Sequence, residues 1–175
     1  MRKVVFGCAN SLDNFIARED GAVDWLRWGP EVAALVSAMW KTVDTVLMGR
    51  KTYEEALRLG SDGSPFPVAR TCVLSRTWPA GRRGPVEIVN ADAVDFVRTL
   101  KQEPGGDICL MGGGVLGAAM LDAGLVDELG VNIHPVLLGR GVPLFHPLSR
   151  QVELERLDCQ ALGNGCVYVL YRVKH

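Results

Sequence analysis

Ile108-Cys109-Leu110-Met111-Gly112-Gly113-Gly114-Val115-Leu116-Gly117 is the stretch on which the fold turns. Ile108 to Met111 is a short apolar run and reads as a strand buried on both faces. Three glycines interrupt it, and Val115 to Asp122 then reads as a helix. A strand that passes through a glycine turn directly into a helix is half of a strand–helix–strand unit, and such units build parallel sheets. Gly112, Gly114 and Gly117 also satisfy G-x-G-x-x-G. A helix start offers unpaired backbone N–H groups and a positive dipole end, and glycine lets a phosphate approach them closely. The other reading is a tight turn in which Gly117 simply makes room for packing. A Rossmann fingerprint is excluded, because it needs an acidic residue at the end of the next strand, and none stands around Val131 to Pro135.

The same pattern extends outward. Val4 to Ala9, Thr45 to Met48, Thr71 to Leu74, Val86 to Val89 and Leu129 to Val136 read as further strands. Pro30 opens a helix carrying Val32, Leu35, Val36 and Met39 at helical spacing. Thr52 to Leu59 is a second helix, stopped by Gly60. Asp92 caps a third, with Val94, Val97 and Leu100 on its apolar face. Asn10 to Asp24 reads as a polar loop, and Ser61 to Pro67 as a Gly/Ser/Pro-rich one. At the end, Val152, Leu154 and Leu157, the turn Gly163-Asn164-Gly165, and the apolar Cys166 to Val173 make a hairpin. The expected fold is α/β: a mostly parallel central sheet flanked by helices, with a C-terminal antiparallel hairpin, in one domain over residues 1–175.

Composition narrows the function. The chain has 175 residues, 48 % of them apolar, enough for a real core. A net charge of −1 gives no electrostatic reason to expect nucleic acid or an anionic membrane as partner. No apolar run approaches the roughly 20 residues of a membrane span. Met1-Arg2-Lys3 has the charge of a signal peptide, but the apolar stretch after it soon meets Asn10, Asp13 and Asn14. The cysteines, Cys8, Cys72, Cys109, Cys159 and Cys166, are odd in number and include no C-x-x-C. That argues against a disulfide framework and against a metal site, and reduced thiols fit a cytoplasmic setting.

Gly49-Arg50-Lys51-Thr52 also follows a buried strand and opens a helix. Arg50 and Lys51 read either as ordinary surface charges or as cations placed for a phosphate. The helix dipole disfavours cations at that position, so they want a reason. Ser75-Arg76 supplies a third basic point at a strand end. Three such ends on one edge of a parallel sheet, the edge where such sheets bind ligands, are explained together by a dinucleotide.

These residues resemble a known family. Val46-Leu47-Met48-Gly49-Arg50-Lys51-Thr52-Tyr53, Val73-Leu74-Ser75-Arg76 and the triple glycine are similar to the cofactor segments of dihydrofolate reductases. Ser11-Leu12-Asp13, Ala22 to Leu26, Ala123-Gly124-Leu125-Val126-Asp127-Glu128-Leu129 and Pro135-Val136-Leu137-Leu138-Gly139 resemble the pyrimidine reductase domain of bacterial riboflavin synthesis. The resemblance runs over nearly the whole chain. It implies a dihydrofolate-reductase-like fold and an NADPH-dependent reductase acting on a pterin, an aminouracil or a related small heterocycle. The alternative is an NADP(H)-binding module without catalysis.

The resemblance also implies residue roles. Ala9 and Ile16 line the nicotinamide. Gly49, Arg50, Lys51 and Thr52, with Ser75 and Arg76, hold the adenosine phosphates, and Gly112, Gly113, Gly114, Val115 and Leu116 cradle the pyrophosphate. Substrate lies between the first loop, the Pro30 helix and the loop from Gly139 to Phe145, touching Asp24, Trp25, Gly141 and Leu144. Asp13 and Glu31 are the candidate proton-relaying groups. Glu31 falls one step from the helix carboxylate that holds the pterin in dihydrofolate reductases, and Val32 stands at the next step. No H-x-E or C-x-x-C is present, so the deaminase domain often fused to the riboflavin reductase is not expected. His134, His146 and His175 have no Ser or Cys with an Asp partner in an elbow-like context, and no catalytic role is assigned to them. Riboflavin-type relatives pair through strands of their C-terminal half, and the hairpin from Val152 to Val173 leaves an edge to cover, so a homodimer is expected.

Overall fold

The computed structural model describes residues 1–61 and 70–175; the loop expected over Ser61 to Pro67 lies, beyond Ser61, outside the described residues. In chain order the elements are β1 (Val4–Ser11), β2 (Phe15–Ala17), α1 (Pro30–Trp40), β3 (Val43–Gly49), α2 (Arg50–Arg58) and β4 (Arg70–Leu74). There follow β5 (Gly81–Arg83), β6 (Val86–Val89), α3 (Ala93–Leu100), β7 (Asp107–Met111), α4 (Gly114–Asp122) and β8 (Glu128–His134). The chain ends with β9 (Val142–Pro143), β10 (Leu154–Ala161) and β11 (Val167–Val173). Nine of these strands form one sheet in the order β10-β11-β8-β1-β7-β3-β4-β6-β5. The centre from β8 to β6 is parallel, and β11, β10 and β5 add the antiparallel margins. The α/β fold expected from the sequence, hairpin included, is the one found.

The helices divide between the two faces. Tyr53 of α2 and Met39 and Trp40 of α1 pack with Val46, Met48 and Val73. Val97 and Leu100 of α3 and Met120 and Leu121 of α4 pack on the opposite face, with Phe6, Leu47 and Leu110. From β1 the chain winds through α1 toward β3; from β7 it winds through α4 to β8 on the far side of β1. The direction of winding reverses between β1 and β7, and open parallel sheets hold ligands at the strand C-termini beside such a reversal.

Buried charges hold the opposite ends of the strands. Arg2, almost fully buried, donates through Nε to Gly106 O at 2.7 Å and through Nη2 to Thr45 Oγ1 at 2.7 Å, and pairs with Asp44. Lys101 donates to Leu125 O at 3.0 Å and pairs with Asp127, which accepts Val4 N–H at 2.7 Å. Charges buried this way are tolerated because every one is hydrogen-bonded.

Several local expectations change. The polar loop Asn10 to Asp24 contains β2, which pairs with β9 through Phe15↔Pro143 and Ala17↔Val142. α2 starts at Arg50, two residues before the expected Thr52, and β8 ends at His134 rather than Val136. β2, β5 and β9 are two or three residues long, too short for a periodicity to announce them; β2 and β9 pair with each other across the chain, and β5 pairs with β6 in a local hairpin. All five cysteines are free. Burial pushes the Cys72 thiol up to about 11 and Cys109 to about 12, so both are packing residues. Among the described residues no helix is long and apolar enough to cross a membrane, and no cluster of potential metal ligands occurs.

α4 crosses β1 closely at Gly117. A Cβ there would lie 2.6 Å from two ring carbons of Phe6, which is itself buried. Gly117→Ala should therefore cost about 1–3 kcal/mol of stability, read from the urea midpoint. Adding Phe6→Leu to Gly117→Ala should cost less than Phe6→Leu does alone. An unchanged midpoint in Gly117→Ala would show that the crossing has slack.

Candidate functional site

Two turns meet at the strand C-termini. β3 and β7 are neighbours, with Leu47 opposite Leu110, and Gly49 lies opposite Leu74 of β4. The chain therefore brings together Gly49-Arg50, Leu74-Ser75 and Met111-Gly112. Gly112 and Gly113 take the left-handed conformation, with φ of 62° and 71°. A Cβ on Gly112 would stand 2.9 Å from Thr52 Cγ2, and one on Gly113 would stand 3.6 Å from Thr52 Oγ1. A Cβ on Gly114 would fall 2.6 Å from Leu144 O. The glycines pack closely, as the second sequence reading has it, and no side chain caps the start of α4.

The helix starts differ in a way that bears on ligands. α1 has Glu31 in its first turn, and α3 has Asp95 there plus an Asp92 cap that accepts N–H from Val94 and Asp95. α2 and α4 have glycine N-caps, no side-chain cap and no acidic residue in the first turn. These two uncapped starts are the ones that meet at Thr52. The dipole and the free N–H groups of both invite an anion.

Around them, Arg50 pairs with Glu54 at 2.7 Å, one turn along α2. Lys51 and Arg76 are exposed and form no ion pair among the described residues. Ser75 Oγ accepts N–H from Thr77 at 3.3 Å and Trp78 at 3.0 Å, shaping the turn that carries Arg76. Val115 is exposed and Leu116 packs against the core from the first turn of α4.

A second region lies on the α1 face of β1. Gly7 pairs with Gly130, Ala9 with Asn132 and Ser11 with His134 across β1 and β8. Gly7 and Ala9 stay partly exposed although β1 is interior to the sheet, so the sheet surface beside α1 is not fully covered there. Ile16 packs from β2 against the opposite core. Trp25 is buried and meets the His134 ring edge to face at 5.3 Å. His134 is also buried; its Nδ1 accepts Arg27 N–H at 3.1 Å and lies 3.4 Å from Cys166 Sγ. Burial, and secondarily the Arg27 charge, push its pKa below the ordinary 6.5, so the ring is neutral at pH 7. A neutral ring that accepts at Nδ1 carries its proton on Nε2. Its neighbour there, 3.3 Å away, is the Asn132 amide. Turning the amide oxygen toward Nε2–H gives Asn132 Oδ1 the partner it otherwise lacks. Sequence reasoning passed over His134. Its partners Trp25, Arg27 and Cys166 are too far away in the chain to form a local motif.

The expected acids are engaged elsewhere. Asp13 accepts from Ser11 Oγ at 2.6 Å, Gly139 N at 2.8 Å and Leu138 N at 3.1 Å. The Ser11 hydroxyl foremost, then these backbone donors, hold its carboxyl below the usual carboxylate range. It is a clasp between the first loop and the Leu138–Gly139 turn. Glu31 accepts from Gly163 N–H, which ties α1 to the hairpin turn. Asp24 is exposed and pairs with Arg18 at 2.7 Å. Of the other expected substrate contacts, Trp25 borders His134. Gly141 lies against β2, where a Cβ would meet Ala17 O at 2.2 Å. Leu144 is 1 % exposed and belongs to the core cluster of the α3/α4 face. Trp28 stands out in solvent.

Known proteins share this fold. Residues 59–168 match the RibD C-terminal domain family. YwjB of Bacillus subtilis (strain 168) is 38 % identical over 168 residues, covering 94 % of each chain. A putative riboflavin biosynthesis protein from Shewanella sp. PV-4 superposes with a TM-score of 0.87 at 29 % identity, covering 100 % of both chains. Dihydrofolate reductase from Enterococcus faecalis, solved with NADP(H), superposes with a TM-score of 0.71 at 19 % identity, covering 99 % and 97 %, and shows the shared fold. The chain belongs to the RibD C-terminal domain family and is a dihydrofolate-reductase-like relative of the riboflavin-synthesis reductases.

The neutral, buried His134 sets a pH dependence. Its folded pKa lies below the unfolded 6.5, so the unfolded chain takes up more protons as pH falls through that value. Stability should hold above pH 6.5 and decline below it, by at most about 1.4 kcal/mol per pH unit from this group. His134→Gln should flatten that decline in urea midpoints measured between pH 7.5 and 5.5. Equal slopes in the two proteins would mean that His134 titrates normally.

Proposed function

We propose that this protein is an NADPH-dependent reductase of small heterocycles, acting on an aminouracil or a related ring. The observation that carries this is the meeting at Thr52 of two uncapped, acid-free helix starts beside unpaired basic residues. Those residues fit a phosphate-rich dinucleotide. Gly112, Gly113 and Gly114, with the first-turn N–H groups of Val115 and Leu116, would cradle a pyrophosphate, and of the three glycines Gly113 has the open side. Gly49, Arg50, Lys51 and Thr52, with Ser75 and Arg76, hold the adenosine side. Ala9 and Ile16 are assigned to the nicotinamide on the likeness to dihydrofolate reductases alone, since Ile16 packs against the core of the α3/α4 face. When bound, NADPH supplies a hydride. Family membership and the NADP(H) held by the Enterococcus enzyme support this reading.

The protein's own part is to orient and enclose. Trp25 and the Asn132–His134 pair border the uncovered sheet surface beside Ala9 and offer a flat wall and an amide to a planar ring. Asp13 keeps the first loop clasped to the Leu138–Gly139 turn. Neither Asp13 nor Glu31 is assigned the proton step, because each already accepts backbone N–H donors. Dihydrofolate is a poor candidate for the same reason. Glu31 is held by the hairpin turn, and the next residue, Val32, is buried and apolar.

The protein is placed in the cytoplasm, where its free cysteines stay reduced. β10 is an edge strand with Leu154 and Leu157 partly exposed, and a second copy covers it in a homodimer. Light scattering at micromolar concentration should give twice the chain mass, and a monomer mass would refute the pairing.

NADPH should bind more tightly than NADH. Arg50→Ala with Arg76→Ala should weaken NADPH at least tenfold and leave NADH nearly unchanged, since a hydrogen bond to a charged group contributes about 1.5–3 kcal/mol. Calorimetry with both cofactors checks this, and equal affinities in the unmutated protein would sink it. Steady NADPH oxidation with a panel of aminouracils, pterins and flavins separates the enzyme from a binding module. Binding without turnover of any of them would favour the module.

A further inference from the structure

The hairpin after Ser75-Arg76 has no part in the function proposed above. β5 consists of three exposed residues, Gly81, Arg82 and Arg83, paired antiparallel with β6 at the rim of the sheet. It buries no side chain, so apolar packing does not explain it. Its arginines form no ion pair among the described residues, unlike Arg70 on neighbouring β4, which pairs with Glu87 at 2.9 Å.

Trp78 organises this rim. Its N–H donates to Ser75 Oγ at 3.0 Å, and its carbonyl accepts Asn90 Nδ2–H at 2.7 Å. Its ring meets Tyr53 of α2 edge to face, with centroids 6.0 Å apart. The Arg83 guanidinium carbon lies over the same ring at 4.4 Å, and that of Arg50 at 5.8 Å. One indole therefore joins the first residue of α2 to an arginine of β5. A cavity of about 280 Å³ opens beside it, lined by the chain from Trp78 to Arg83 and by Ile88.

A guanidinium resting on an indole keeps its N–H fork available and has already given up much of its rotamer freedom. Such an arginine is prepared for a phosphate, which it grips with two parallel hydrogen bonds. Arg50 and Arg83 share the Trp78 ring, at 5.8 and 4.4 Å from its centroid, so a phosphate held at Arg50 would lie beside the indole that carries Arg83. We propose that Arg83, held by Trp78, is a further phosphate ligand of this site, and that the pair selects a phosphomonoester on the ribose of an adenine nucleotide. The inference rests on the cofactor reading above and extends that site across the sheet edge to β5.

The test compares NADPH, NADH, 2′,5′-ADP and 5′-AMP by calorimetry on the full chain. Arg83→Gln should weaken NADPH and 2′,5′-ADP about tenfold and leave NADH and 5′-AMP within about twofold. Arg156→Gln, on distant β10, controls for loss of general charge and should change none of the four. Trp78→Phe keeps an aromatic platform and should lose less than Arg83→Gln. NADPH affinity unchanged in Arg83→Gln would overturn this proposal and leave the cofactor reading standing. An equal loss for NADPH and NADH would place Arg83 on the shared part of the ligand and would also overturn it. No NADPH binding by the unmutated chain would remove the cofactor reading, and this proposal with it.

Discussion

At Gly112, Gly114 and Gly117 there is no room for a side chain. A Cβ would strike Thr52 at Gly112, the backbone of residues 143 and 144 at Gly114, and the Phe6 ring at Gly117. One short segment thereby fixes three distances: from α4 to α2, to the β9 loop and to β1. The close approach lets two helix starts share one point, and it leaves their N–H groups uncovered by side chains. The site and the packing have the same steric origin, so the glycines need no separate functional explanation.

Charge is divided between the two ends of the sheet. At the strand starts, Arg2, Lys101, Asp44 and Asp127 neutralise one another and tie down the backbone. At the strand ends, α2 and α4 begin without acids while α1 and α3 begin with them. Positive potential therefore collects at one place, above the winding reversal between β1 and β7. Next to it the sheet surface is lined by small residues, Gly7, Ala9 and Gly130, under α1. A long anionic cofactor and a flat ring would find their two surfaces side by side.

The acidic residues show how sequence position and chemical role part company. Asp13 and Glu31 are natural candidates for proton transfer, and Asp24 for a substrate contact, because they fall in or beside segments that resemble a reductase. In the folded chain each has a partner that defines it otherwise: backbone N–H groups at 138 and 139, the N–H of Gly163, and the Arg18 side chain. The groups that border the uncovered sheet surface, Asn132 and His134, lie on a strand whose pattern announces only burial.

The sequence by itself determined the parallel α/β architecture, the terminal hairpin and the phosphate-friendly turns at residues 49–52 and 112–116. Those depend on local rules: apolar runs of strand length, helical spacing, and glycine where φ is positive or a backbone comes close. Only the tertiary structure decided that the two turns meet at Thr52, that His134 is neutral beneath Trp25, and that Leu144 is core. It also decided that β2, β5 and β9 exist. Apart from β5, which pairs with β6 a few residues on, each of these depends on a partner tens of residues away, and neither the hydrogen bond nor the burial that creates it leaves a periodic trace in the chain.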